Sequence, residues 1–200
     1  MRTGIFGGTF NPVHSGHVRL ARTYFDALRL DRMLVIPTCQ PPHKAGEQLA
    51  DGADRLAMCR LAFGGLPGFE ASDIELRRGR KSYTVDTLEQ LAAEYPDDRF
   101  YLIMGSDMFL TLTEWREWKR ICELAVICAG ARDAALRGPL ADCKRSLEAQ
   151  GALCELVELD PLPISSTLVR KRAREKKTLG GLVPPEVAAY IDSHGLYQTL

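Results

Sequence analysis

The chain has 200 residues, with 26 basic and 26 acidic side chains, a formal net charge of zero and hydrophobic residues at 46 % of positions. That length allows one sizeable hydrophobic core and is short for two independent domains. Balanced charge argues against the broad basic footprint of a nucleic-acid binder, and no apolar run approaches the roughly 18 residues that a membrane-spanning helix needs.

The first residues, MRTGIFGG, run almost at once into an apolar strand. They lack the basic stretch, apolar core and small-residue cleavage site of an export signal, so a cytoplasmic location is the expectation. Cysteines at 39, 59, 122, 128, 143 and 154 form no CxxC pair and no zinc-ligand cluster with histidine. Reduced thiols, with no metal held by the protein, are therefore expected.

Short apolar runs at 4–6, 33–36, 69–74, 100–104, 124–128 and 153–157 predict buried strands. Helical patterns lie between them. Val18, Ala21, Phe25 and Leu28 form one apolar stripe at helical spacing, and Val85, Leu88, Leu91 and Tyr95 form another. The strand signal lapses over 131–150. Towards the end, 165–176 reads as a basic helix, Gly180-Gly181 as a break and 184–194 as a final helix with prolines at its start. Such alternation predicts an α/β fold. It should be a doubly wound, mostly parallel sheet with ligands beyond the carboxyl ends of its strands, and one domain over 1–200 carrying a small helical portion at about 164–200.

Two segments carry chemistry. GGTFNPVHSGH at 7–17 leaves the first strand through Gly7 and Gly8, passes Thr9, Phe10 and an Asn11-Pro12 turn, and enters a helix near Ser15. Glycines let backbone approach a ligand closely, and a helix start offers unpaired N–H groups and a positive dipole end to phosphate. His14 and His17, three apart across that start, can turn to the same side and donate to phosphate oxygens that gain charge during a reaction. A glycine pair after a strand, or a histidine at a helix start, is commonplace alone; their combination within eleven residues favours phosphate binding. A dehydrogenase would instead need GxGxxG opening directly into the helix and an acid ending the second strand, where this chain has Val35-Ile36-Pro37.

The second segment, Ile164-Ser165-Ser166-Thr167 ahead of Arg170, supplies capping hydroxyls and a delocalised cation. Read alone it is a well-capped basic helix. Aimed at the crevice of the first segment, it would clamp a triphosphate from the opposite side.

GGTFNPVHSGH resembles the phosphate-binding signature of the nucleotidyltransferase superfamily, whose histidine-x-glycine-histidine element is shared with class I aminoacyl-tRNA synthetases. PPHK at 41–44, SYTVDTL at 82–88, GSDMFLTLTEWREW at 105–118, ISSTLVR at 164–170 and VPPEVAAYIDSHGLY at 183–197 extend the likeness along nearly the whole chain. Together they closely resemble the bacterial nicotinate-nucleotide adenylyltransferase family. The resemblance implies a Rossmann-like nucleotidyltransferase fold. It also implies a reaction of ATP with nicotinate mononucleotide that gives nicotinate adenine dinucleotide and pyrophosphate in NAD biosynthesis, with Mg²⁺ carried on the phosphates.

By the same resemblance, Gly7, Gly8, Thr9, Phe10, Gly105, Asp107, Ile164, Ser165 and Ser166 belong to the ATP site, while His14, His17 and Arg170 stabilise the transferring phosphate. Lys44, Thr84, Trp115 and Arg132 surround the mononucleotide, with Trp115 facing the pyridine ring and Trp118, three residues on in the same helical reading, assigned to the core. There are departures from the family pattern. Asn11 stands where many relatives carry Asp, and Ala129-Gly130-Ala131-Arg132-Asp133 replaces a short arginine-proline-glycine element. Either Arg132 is its shifted equivalent or part of the mononucleotide site is built differently. The sequence fixes neither the choice between nicotinate and nicotinamide mononucleotide nor whether the chain forms a homo-oligomer.

Overall fold

A computed structural model describes residues 1–40, 49–131, 134–160 and 162–198. Strands β1 (Arg2–Gly8), β2 (Arg32–Pro37), β3 (Phe69–Ala71), β4 (Arg99–Ile103), β5 (Ala125–Ala131) and β6 (Cys154–Glu158) form one parallel sheet in the order β3-β2-β1-β4-β5-β6. Helices α1 (Ser15–Ala27), α2 (Gly52–Phe63), α3 (Ile74–Arg78), α4 (Thr84–Glu94), α5 (Ser106–Leu110), α6 (Trp118–Leu124), α7 (Arg137–Glu148), α8 (Ser166–Arg174) and α9 (Pro185–Ser193) complete the α/β architecture. The strand order reverses beside β1, whose neighbours are β2 and β4. There the crossovers leave in opposite directions and a crevice opens beyond the strand ends.

The central strands are apolar at consecutive positions because both sheet faces are covered, and alternate residues feed opposite layers. Ile5, Leu34, Ile36, Phe100 and Leu102 enter one apolar cluster, with Leu88 and Leu91 of α4, Phe109 of α5 and Leu140 of α7. Phe6, Met33, Val35, Tyr101 and Ile103 enter the other, with Ala21 and Tyr24 of α1 and Met58 and Phe63 of α2. Val169 and Ala173 of α8 and Val187 and Ile191 of α9 pack into that second cluster. All six cysteines are free, and Cys59, Cys128 and Cys154 are buried. No described helix is long and apolar enough to cross a membrane.

Two local expectations are corrected. The third strand stops at Ala71, and Ile74, which reads as its last residue, is instead a buried residue opening α3. Ser72 and Asp73 intervene, and the Ser72 hydroxyl accepts a hydrogen bond from the Ile74 N–H at 3.4 Å, a local turn that ends the extended run. Over 131–150, where the strand signal lapses, α7 supplies a helix with Leu140 and Leu147 as its buried residues. Trp115 and Trp118 do not share a helix. Glu117 between them has φ of 54°, so Trp115 follows a short 3-10 turn while Trp118 begins α6.

Candidate active site

The start of α1 is built by two histidines that cap each other. Nδ1 of His14 accepts from the His17 N–H at 3.3 Å, and Nδ1 of His17 accepts from the His14 N–H at 3.2 Å. This is a reciprocal capping box in which imidazoles replace the usual hydroxyl and carboxylate. The rings stack with centroids 3.6 Å apart. Because each Nδ1 is an acceptor, a neutral ring carries its proton on Nε2. Gly16 keeps the geometry open: a Cβ there would stand 3.0 Å from Nδ1 of His14.

Behind the histidines, Phe10 packs edge-on against His17 at 5.1 Å and against Phe6 at 5.5 Å. Its side chain is in the core, so only its backbone is available to a ligand. Gly8 is required where it stands, because a Cβ would meet the Phe10 ring at 2.9 Å. Asn11 is buried beneath this turn. Its side-chain oxygen accepts from the Ala50 N–H and the Tyr197 hydroxyl, each at 3.0 Å, and the Asn11-Pro12 peptide is cis. The amide at position 11 thus serves as a neutral junction, with no carboxylate needed to receive these two donors.

The start of α8 is fastened to the same turn. Arg170 donates through Nη1 to the Asn11 carbonyl at 2.8 Å, and the Ser166 hydroxyl donates to the Pro12 carbonyl at 2.9 Å. Ser165 caps the helix by accepting from the Leu168 N–H at 3.1 Å. A cavity of about 310 Å³ results, lined by His14 and His17 on one side and Ile164, Ser165, Ser166, Thr167 and Arg170 on the other. Arg19 and Asp160, paired with each other, line it as well.

A larger cavity, of about 590 Å³, lies beyond the ends of β1 and β4. Gly7, Gly8, Thr9, Thr84, Gly105 and Trp115 line it, so the turn at 7–17 contributes to both cavities. Thr84 opens α4, whose N-terminus faces this space. Trp115 and Trp118 are both half-buried, but only Trp115 lines the cavity. Asp107 occupies the exposed side of the first turn of α5, between the lining residues Gly105 and Met108. Lys44 and Arg132 lie outside the described residues.

A Cytidylyltransferase-like family model matches residues 5–172. The "Probable nicotinate-nucleotide adenylyltransferase" of Gemmatimonas aurantiaca is 39 % identical over 199 residues, covering 99 % of this chain and 93 % of that one. Its namesake from Geobacter metallireducens is 41 % identical over 212 residues, covering 98 % of each. This chain belongs to the nicotinate-nucleotide adenylyltransferase family. The fold agrees: nicotinic acid mononucleotide adenylyltransferase of Plasmodium falciparum, solved in complex with NaAD, matches with a TM-score of 0.75 at 17 % identity, over 98 % of this chain and 97 % of that one.

In this member of the nicotinate-nucleotide adenylyltransferase family, the larger cavity also has charged walls that the motifs did not single out. Arg116 lines it with its guanidinium 4.8 Å from the centre of the Tyr83 ring. Glu75 of α3 lines it as a buried acid. One of its oxygens accepts from the Thr87 hydroxyl at 2.8 Å, and the other is buried with no hydrogen-bond partner among the described residues. Burial pushes the Glu75 carboxyl up from its ordinary range, against the Ser82 and Thr87 hydroxyls and the guanidinium groups of Arg78 and Arg55. The only sequence hint of Glu75 is an acid just ahead of SYTVDTL, and nothing local marks it as buried.

Proposed function

We propose that the chain transfers the adenylyl group of ATP to the 5′-phosphate of nicotinate mononucleotide, releasing pyrophosphate and forming nicotinate adenine dinucleotide. The observation that carries this reading is the meeting of the α1 and α8 helix starts around one cavity, with paired imidazoles facing a guanidinium and the Ser165 hydroxyl. These donors suit the phosphates of ATP. The adjoining cavity, with Trp115 and the start of α4, suits the flat ring and carboxylate of the mononucleotide.

In the reaction, an oxygen of the mononucleotide phosphate bonds to the α-phosphorus of ATP while the bond from that phosphorus to the bridging oxygen of pyrophosphate breaks. The leaving oxygen keeps the electron pair. No general base is required, because a phosphate monoester with a second pKa near ~6 is already largely ionised at neutral pH. Alignment of the two anions supplies up to ~7–11 kcal/mol in favourable cases, and each well-placed donor to developing charge about 3–4 kcal/mol. His14, His17 and Arg170 fill the donor role; Gly7, Gly8, Thr9, Gly105 and Asp107 serve the rest of the ATP. Mg²⁺ arrives on the phosphates, since the described donors of the smaller cavity are chiefly imidazole, hydroxyl and guanidinium groups that attract anions.

Preference for nicotinate follows from Thr84 and the helix start it opens, where a ring carboxylate gains up to about 2 kcal/mol over a neutral amide, roughly 30-fold in kcat/KM. The test incubates purified protein with Mg²⁺, ATP and each mononucleotide in turn, following pyrophosphate and dinucleotide. The expected result is turnover with the nicotinate form ahead by at least ~10-fold, within the range of that charge effect. No pyrophosphate with either mononucleotide would overturn the proposal.

A further inference from the structure

Arg55 lies in α2, outside every motif described above, yet its position is unusual for a cation. It is 2 % exposed. Its guanidinium makes four hydrogen bonds, each to a backbone carbonyl: Nε to Ala50 at 2.9 Å, Nη1 to Thr9 at 2.9 Å and to Thr38 at 2.6 Å, and Nη2 to Cys39 at 3.4 Å. Among the described residues no carboxylate forms an ion pair with it. Asp51 acts on it only at a distance, behind the influences of Tyr197, Cys39 and Cys59, and the buried Glu75 feels its charge without forming an ion pair. A buried charge without a partner is costly, and arginine does not shed its proton to escape the cost.

Two of the carbonyls it gathers belong to the walls of the site. Thr9 follows Gly8 in the turn leaving β1, Thr38 follows β2, and both line the larger cavity. In a trans peptide the carbonyl and the next N–H point in opposite directions. Drawing the Thr9 carbonyl towards Arg55 therefore turns the Phe10 N–H away from the guanidinium. The Thr38-Cys39 peptide behaves in this way: its carbonyl faces Arg55 while the Cys39 N–H donates to the Ser82 hydroxyl, itself on the cavity wall, at 3.1 Å.

We propose that Arg55 is a positioning residue for the phosphate-binding turn, and that the phosphates of bound substrate supply the counter-charge this buried guanidinium lacks. The inference rests on the adenylyl-transfer reading and adds to it a residue that acts from beneath the site through the backbone. Two properties are needed together. The fork joins the ends of β1 and β2 to the entry of α2, and the charge attracts phosphate through a low-dielectric wall where screening is weak. Lysine keeps the charge without the fork; methionine keeps much of the length without the charge.

The test compares R55K and R55M with the wild type well below their melting temperatures, measuring kcat and KM for ATP and the rise in melting temperature produced by Mg·pyrophosphate. In R55M, kcat/KM for ATP falls roughly 100-fold, the scale of a misplaced reacting group, and most of the pyrophosphate response is lost. R55K regains the pyrophosphate response but keeps kcat about 10-fold low, an intermediate loss of alignment. A folded R55M with kcat and KM within about two-fold of wild type and an undiminished response would overturn the inference, since scaffolding alone moves only the unliganded melting temperature. Should R55M not fold, R55K decides: wild-type kcat in R55K overturns the proposal. Absence of turnover in the wild type would instead reject the adenylyl-transfer reading itself.

Discussion

His14 and His17 are locked to each other as a stacked pair, their planes 25° apart and each Nδ1 held by the other residue's backbone N–H. Capping engages Nδ1 of each ring, whereas the proposed donation to phosphate falls to Nε2, so substitution can separate the two. His14→Asn retains a side-chain oxygen able to cap α1, so stability changes by less than about 1 kcal/mol, while pyrophosphate release falls roughly 100-fold through loss of one donor. His14→Ala loses both, with a further cost of about 1 kcal/mol. His17→Ala lowers turnover by at least ~100-fold with the fold retained. Melting curves beside steady-state rates check the separation, and near-normal turnover in His14→Asn or His17→Ala would remove that imidazole from the proposed role.

Trp115 and Trp118 give a second separation, because the break at Glu117 sends their side chains to different surroundings. Trp115→Ala should raise KM for nicotinate mononucleotide by about 5- to 150-fold, corresponding to about 1–3 kcal/mol for a ring stacked on an aromatic face. KM for ATP should stay within about two-fold, since uniform binding is lost at one substrate only. Trp115→Phe should recover much of the loss. Trp118→Ala should lower the melting temperature and leave both KM values unchanged; a Trp118 variant with weakened mononucleotide binding would show that the assignment is reversed.

The parts legible in the sequence are those whose cause is local. β1, β2, β4 and β5 announce themselves because both faces of each are covered, leaving runs such as Met33 to Ile36 without a polar interruption. α1 and α4 show apolar stripes because their outer faces meet solvent. The turn at 7–17 is legible because glycine, Asn-Pro and histidine each perform a local task. By contrast, Ile74 extends the apolar run of β3 although its backbone is helical, and the left-handed Glu117 leaves no mark on the spacing of the two tryptophans. Arg55 and Glu75 are hidden for a different reason. Charged residues read as surface until the carbonyls of residues 9, 38, 39 and 50, or the Thr87 hydroxyl, are brought to them by folding.

Glu75 yields a prediction whose sign depends on pH. Burial raises its carboxyl above the ordinary value of 4.5, so the folded protein holds that proton more tightly than the unfolded chain. The stability it contributes is complete below about pH 4.5 and is lost as pH rises through the higher folded value, where an ionised carboxylate must remain buried with one oxygen unpaired. Glu75→Gln keeps an acceptor for the Thr87 hydroxyl and removes the titration. Its melting temperature should match wild type near pH 4.5 and exceed it by roughly 2–4 °C near pH 8, equivalent to about 1 kcal/mol for a chain of this size. Thermal melts at the two pH values decide the matter: a glutamine variant less stable than wild type near pH 8 would mean that the ionised carboxylate is stabilised by its surroundings, and the raised affinity for its proton would have to be abandoned.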